Sequence, residues 1–311
     1  MSKLTRRGWS KLALGGLAAA ALPSAALTAG GAQKRVNSRF NGVLLGAQSY
    51  SFRDMSLDDM LKAMAEIGIG SCELWAGHLE PKEVIYRSWG AKSEKVRAEA
   101  REELRRWRLN TPLSLFREAR AKFDRVGVDL YAFNYSMTDD FTDAEMEQGF
   151  RMARALGAKV MTSSSNVSTS KRIDAFAQKY RMRVGLHNHS NNSNPNEIST
   201  PESFTRAMEG RSPHIVINLD IGHFTAANWD ALDFLRKHHR RVVALHIKDR
   251  RRDQGANVPF GKGDTPIRET LALLRANRWP IPANIEYEYE GTDTVTEVRR
   301  CFDYCKKALG A

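Results

Sequence analysis

Residues 183–189 read RVGLHNH, a short apolar run that ends in two histidines with one asparagine between them. An imidazole at the end of an apolar run loses its water and needs a partner, so what His187 and His189 face is the first question. The same design recurs downstream. IVINLDIGH (215–223) ends on Asp220 and His223, VVALHIKD (242–249) on His246, Lys248 and Asp249, and NIEYEY (284–289) on Glu286 and Glu288. Four more runs of β-branched or apolar residues lie upstream: VLLGAQSYS (43–51), SCELWAG (71–77), VDLYAFNYS (128–136) and KVMTSSS (159–165). The second of these carries Glu73, with His78 just beyond it.

Amphipathic stretches separate the runs, among them SLDDMLKAMAEIG, TDAEMEQGFRMARALG, WDALDFLRKHH and IRETLALLRANR. Several open on a Ser, Thr or Asp cap. Eight strands alternating with eight helical connections in roughly 280 residues have the size and rhythm of an α/β fold of the TIM-barrel type, (β/α)8, built as a single domain. A doubly wound sheet is the alternative topology. One connection, about 79–127, is overlong and reads as two helices broken near Asn110–Pro112.

The N-terminus has a different character. Lys3, Arg6, Arg7 and Lys11 come with no acid, and Leu12–Gln33 carries no charge at all. TRRGWSKLAL resembles a twin-arginine export signal, followed by an Ala/Gly-rich h-region. The resemblance implies a signal peptide over 1–32, a barrel over 33–311, and export to the periplasm or beyond. About twenty uncharged residues could just span a bilayer, but Ala and Gly drive insertion weakly, so no stable membrane insertion is expected after cleavage. The first cysteine is Cys72, too late for lipid attachment.

Charge and cysteines exclude more than they suggest. Residues 1–32 hold four of the positive charges behind the net +12, leaving +8. Much of that excess lies in REELRRWR (101–108), HHRR (238–241) and KDRRRD (248–253), solvated faces rather than a nucleic-acid footprint. No nucleic-acid partner is expected; a homo-oligomer is left open. Cys72, Cys301 and Cys305 are an odd count in a chain this size and suggest no disulfide framework.

In (β/α)8 barrels the C-terminal strand ends carry the chemistry. Four of the eight histidines, His187, His189, His223 and His246, fall at adjacent strand ends together with Asp220, Lys248, Asp249, Glu286 and Glu288. Period two puts His187 with His189, His246 with Lys248, and Glu286 with Glu288 on shared faces. Imidazoles and carboxylates crowded at one barrel mouth need a cation or a substrate to organise them. A mixed set of this kind accepts Mn²⁺, Co²⁺, Zn²⁺ or Mg²⁺. Tyr50, Trp75 and Tyr135, near strand ends, offer aromatic faces for a bound molecule; His78 and Asp249 complete the candidate substrate contacts.

HNH after the fifth strand, LDIGH after the sixth, LHIKD after the seventh, GKGD in the next loop and IEYE at the eighth resemble the sugar phosphate isomerase/epimerase family, the xylose-isomerase-like barrels. The likeness runs over about residues 43–309. It implies one divalent ion held by four side chains from strands five to eight, commonly Glu, Asp, His and Glu. By position Asp220 matches the aspartate, His246 the histidine and Glu286 the last glutamate, while His187 stands where the family has its first glutamate. His187 then faces the ion and His189 the substrate, or the reverse.

In epimerases of that family the ion bridges a ketose carbonyl and the neighbouring hydroxyl, stabilising an enediolate, while two metal-bound glutamates exchange the proton. His187 breaks that pair, so acid/base work passes to others, the candidates being His189, His223, Lys248, Glu73 and Glu288. Three functions follow. The first is a metal-dependent isomerase or epimerase of a non-phosphorylated sugar or keto-sugar derivative. The second is a keto-sugar or glycoside lyase or hydratase on the same ion, and the third a non-catalytic periplasmic sugar-binding barrel. Phosphorylated substrates are disfavoured because they are scarce outside the cytoplasm and because GKGD is a weak phosphate cradle. The related endonuclease branch, with several zinc ions, needs more ligands than these.

Overall fold

In the computed structural model, which describes residues 35–311, all eight apolar runs form strands: β1 (Val43–Gln48), β2 (Ser71–Trp75), β3 (Asp129–Asn134), β4 (Val160–Ser163), β5 (Arg183–His187), β6 (Ile215–Asp220), β7 (Val242–Ile247) and β8 (Ala283–Ile285). Each pairs in parallel with the next. β8 returns to β1 through Leu45↔Ala283, Gly46↔Asn284 and Ala47↔Ile285, which closes an eight-stranded barrel. The TIM barrel expected from the alternation of runs and helices is what forms, and the doubly wound sheet is excluded by that closure. The expected signal over 1–32 lies outside the described residues.

Local chemistry starts and stops the outer helices. Ser56 caps Leu57–Ile67 by accepting from the Asp59 N–H. Thr142 and Glu145 form a capping box on Asp143–Ala155. Gly68 and Gly127 close their helices at φ of +94° and +78°, where a Cβ would be strained. The inner faces of these helices bury Leu, Ile, Phe and Met side chains against the outside of the barrel in one continuous core. Cys72, Cys301 and Cys305 are buried free thiols within it.

Inside the barrel the side chains stack in layers. Ala132, Val160, Val216 and Val243 form an apolar layer, with Tyr131 donating to the Val243 carbonyl at 2.7 Å. Above it Gln48, Glu73, Thr162, Asn218, His246 and Asn284 form a buried polar layer, directly under the C-terminal mouth. Small residues make room for it: a Cβ on Gly46 would come within 2.3 Å of Asn284 Oδ1.

Several boundaries differ from the expectation. β6 stops at Asp220, because its carboxylate caps a short helix, Ile221–Ala226, so His223 stands on that helix and not on the strand. β8 ends at Ile285, before either glutamate. The long β2–β3 connection holds three helices, Lys82–Trp89, Glu94–Asn110 and Ser114–Val126, rather than two. A two-residue strand, Arg39–Phe40, pairs antiparallel with β1. Tyr135 is 1% exposed, and its hydroxyl donates to the Glu145 carbonyl, so it is core rather than an open stacking face. Among the described residues no helix is long and apolar enough to cross a membrane.

Candidate active site

The site is built upward from Glu73. Its carboxylate, fully buried on β2, accepts from Gln48 Nε2 (3.1 Å), Thr162 Oγ1 (2.6 Å), Asn218 Nδ2 (3.3 Å) and Asn284 Nδ2 (2.9 Å), and lies 2.9 Å from His246 Nε2. That last contact fixes Nε2 toward Glu73 and turns Nδ1 toward the mouth, as an outer carboxylate does for a metal-binding histidine. His246 Nδ1 lies 3.1 Å from Glu286 Oε2 and 3.9 Å from Asp220 Oδ2. A nitrogen of His187, an oxygen of Asp220 and a nitrogen of His246 lie within 4.8 Å of one another.

One property tests whether this set fits a metal. All four side chains are buried; His187 Nδ1 has no partner, while Asp220 Oδ2, His246 Nδ1 and Glu286 Oε2 meet one another and Lys248. Two imidazole nitrogens and two carboxylate oxygens crowded at four adjacent strand ends, with no hydrogen-bond partner outside this cluster and Lys248, are the donors a divalent ion takes. The present cation is Lys248, whose Nζ is 3.2 Å from Asp220 Oδ2 and 2.9 Å from Glu286 Oε2, and also meets Glu288 Oε2.

The titrations follow. Burial lifts Asp220 to about 6, against the pull of Lys248. Burial would raise Glu286 too, but Lys248 and His246 hold it well below the usual carboxylate range. Burial and the His246 charge push His187 well below an ordinary imidazole. For His246 burial works the same way, yet Glu73 and Glu286 outweigh it and raise the pKa well above normal. Lys248 is likewise raised despite burial, by Asp220, Glu286 and Glu288, so it can donate to a substrate oxygen and cannot act as a base.

Above this quartet opens a cavity of about 500 Å³. His189 reaches it from beyond β5 with its side chain 46% exposed. Its Nε2 is 3.4 Å from Ser164 Oγ and its Nδ1 is 3.8 Å from Glu197, whose carboxylate can orient the ring as a base once the contact tightens. His223 stands between two cations, with Arg250 Nη1 2.7 Å from Nδ1 and Lys248 Nζ 3.2 Å from Nε2. Burial and Lys248 keep it neutral, its pKa well below normal. Tyr50, Trp75 and Trp89 form one wall with ring centroids 5.1 to 6.3 Å apart. Asn134, Ser136, Thr138, Ser164, Ser165 and Asn166 form the other.

Of the residues read from sequence, His187, His189, His223, His246, Lys248, Glu286, Glu288, Tyr50 and Trp75 line this cavity, with Asp220 fully buried against them. Glu73 lies beneath it with both oxygens engaged, which makes it the partner of His246 and keeps it from a substrate proton. Asp249 accepts from the backbone N–H groups of Gly261, Gly263 and Thr265, so it holds the GKGD loop instead of a substrate. His78 donates through Nε2 to the Ser49 carbonyl at 2.9 Å and does not reach the cavity. Sequence reasoning missed Trp89, Glu197 and Arg250, and also Asn188. The Asn188 amide donates to the Asp220 carbonyl (3.1 Å) and accepts from the Asp220 N–H (2.9 Å), clamping β5 to β6. Its signal was present: it is the residue between the two histidines, and period two turns it from their face into the sheet.

Comparison with known proteins gives the fold a lineage. A family described as xylose isomerase-like TIM barrel matches residues 61–307. Inosose dehydratase of Lactiplantibacillus plantarum is 34% identical over 80 residues, so the match spans 25% of this chain and 25% of that curated relative. A sugar phosphate isomerase/epimerase from Parabacteroides distasonis superposes with a TM-score of 0.59 at 17% identity, over 88% of this chain and 97% of that one. The 3-keto-D-glucoside 4-epimerase of E. coli does so with a TM-score of 0.58 at 13% identity, over 85% of this chain and 99% of that one. At these identities the two structures speak to the fold alone.

Proposed function

The chain belongs to the xylose isomerase-like TIM barrel family, and on that premise we propose that it is a divalent-metal-dependent isomerase or epimerase of a non-phosphorylated sugar or keto-sugar. One observation carries this: the buried donor atoms of His187, Asp220, His246 and Glu286 converge under a cavity walled by aromatic rings on one side and by hydroxyls and amides on the other. A divalent ion held by His187, Asp220, His246 and Glu286 would supply a Lewis acid to the substrate. The remaining work belongs to the side chains. Tyr50 and Trp75 stack on the sugar's C–H face, and the Asn and Ser side chains opposite bind its hydroxyls. His189, set by Glu197, takes the proton next to the carbonyl. Lys248 donates to the oxygen that gains charge, and Glu288 returns the proton. Lys248 is the one Lys or Arg among the cavity-lining residues and is already paired with three carboxylates, which favours a substrate without a phosphate.

A second function is favoured by the asymmetry of the same site. With His187 in place of a carboxylate, the proton-handling groups on the two sides differ in kind, which also suits a lyase or hydratase that removes a proton with one group and protonates a leaving oxygen with another. Purified protein loaded with Mn²⁺ and incubated in D₂O with free ketoses and 3-keto-glycosides, followed by NMR, separates them. Deuterium entering at one carbon with the skeleton intact supports isomerisation or epimerisation; a new alkene or a released aglycone supports the lyase. Saturable binding with no exchange would overturn both and leave a non-catalytic sugar-binding barrel. The basic, uncharged-core leader of residues 1–32 supports a further part of the proposal, that the enzyme works after twin-arginine export to the periplasm.

A further inference from the structure

A second cavity, of about 260 Å³, opens beside the first. Trp75, Trp89, Asn134, Ser136 and Thr138 line both, so the two adjoin. It exists because of the overlong β2–β3 connection. The helices Lys82–Trp89 and Glu94–Asn110 pack together around Trp75, Val84, Ile85, Ala100 and Leu104, a small core separate from the main one, beside the mouth. The chemistry of this cavity differs from that of its neighbour. Ile85, Leu104 and Phe141 make it apolar on one side. On the other, every guanidinium is already matched. Arg108 binds both oxygens of Glu80 (2.7 and 3.0 Å), and Arg101 binds Glu145 at 2.9 Å and meets Asp140. Both Arg101 and Arg108 also lie over the Phe141 ring, at 4.3 and 4.7 Å. A phosphate or carboxylate would have to break those pairs, so the site suits an uncharged group. At the junction stands Trp89, which stays 58% exposed although Trp75, Tyr50 and Tyr86 lie 6.0, 6.3 and 5.7 Å from it, so part of its ring is open to a ligand.

We propose that this second cavity is a subsite for the uncharged second ring of a glycoside, a sugar or an aryl aglycone, whose reacting sugar occupies the first cavity. The inference rests on the sugar chemistry proposed above and narrows it: the substrate is a two-ring keto-glycoside, not a free monosaccharide. A 500 Å³ cavity with a 260 Å³ extension falls in the range of sites that enclose ligands larger than one hexose.

Tryptophan fluorescence of the Mn²⁺-loaded full chain, titrated with the methyl glycosides, phenyl glycosides and disaccharides of glucose and galactose, tests the subsite without turnover. Phenyl glycosides or disaccharides are expected to bind at least about tenfold more tightly than the methyl glycosides, and which of the two wins identifies the second ring. Ser88→Phe, which fills the second cavity from a half-buried position, and Trp89→Ala, which removes the shared face, should each collapse that ratio toward one. Equal binding of all three ligand types, no binding of any, or a ratio that survives both substitutions overturns the subsite. Turnover of keto-sugars in D₂O with no two-ring preference sinks the subsite and leaves the proposed reaction standing. A two-ring binding preference with no turnover does the opposite.

Discussion

His78 shows how one buried ring sets a pH dependence. Its Nε2–H donates to the Ser49 carbonyl, and its Nδ1 is buried with no partner, so a second proton would be stranded. Burial accordingly lowers its pKa from 6.5 to about 4. The unfolded chain binds this proton more readily than the folded one, so the stabilisation is complete above about pH 6.5 and is lost as the pH falls toward 4, at up to about 1.4 kcal/mol per unit. His78→Gln keeps a donor for Ser49 and removes the titration. Urea unfolding at pH 7 and pH 5 is expected to show a smaller loss for His78→Gln than for the parent protein; equal losses would mean the ring is not held neutral. At this scale the sequence was informative wherever chemistry-bearing side chains ended apolar runs, as with Asp220, His246 and Glu286. It was silent on Glu197, Arg250 and Trp89, which come from loops and a short helix whose approach to the mouth no periodicity encodes. It misled on Asp249, whose carboxylate is consumed by a loop, and on Glu73, which sits mid-strand below the mouth with its carboxylate consumed by His246 and the polar layer.

Among the elements, the inserted helices of the β2–β3 connection depend on a buried ion pair. The side chains of Glu80 and Arg108 are 5% and 10% exposed, and Arg108 has only a 3.4 Å contact with Glu145 to fall back on. Removing one partner of such a pair leaves a charge without solvent, at a cost of about 3 kcal/mol. Glu80→Ala should therefore lower the melting temperature by several degrees, while Glu80→Leu with Arg108→Met recovers most of the loss; calorimetry on the three proteins checks both. The strands were legible because an apolar run of five or six residues bounded by capped helices has few alternatives. Their ends were less so. The Asp220 side chain competes for the backbone and starts a helix three residues before the apolar pattern fades. Lys82–Trp89 escaped notice because it is only eight residues long, with a weak apolar stripe between Pro81 and Gly90.

For the whole molecule, closure of the barrel is what brings residues from four strands, 187 to 286 in the chain, onto one cation-sized point. Alternation of elements announced that closure, since eight runs and eight helices leave few other ways to bury both faces of a parallel sheet. Export is the other whole-chain property. Residues 1–35 fused to a reporter that must fold before translocation should carry it to the periplasm, and Arg6→Lys with Arg7→Lys should stop it; arginine-independent export would sink the twin-arginine assignment. Every catalytic role above depends on the metal, so elemental analysis of purified protein after dialysis against Mn²⁺, Co²⁺, Zn²⁺ or Mg²⁺ is the most direct test. The parent chain and His187→Glu, which restores a carboxylate at the strand-five position, should each retain about one ion. Asp220→Ala with His246→Ala should retain less than about a tenth of that. A stoichiometric ion surviving the double substitution, or a parent chain that takes up none, would contradict the metal site at the centre of this account.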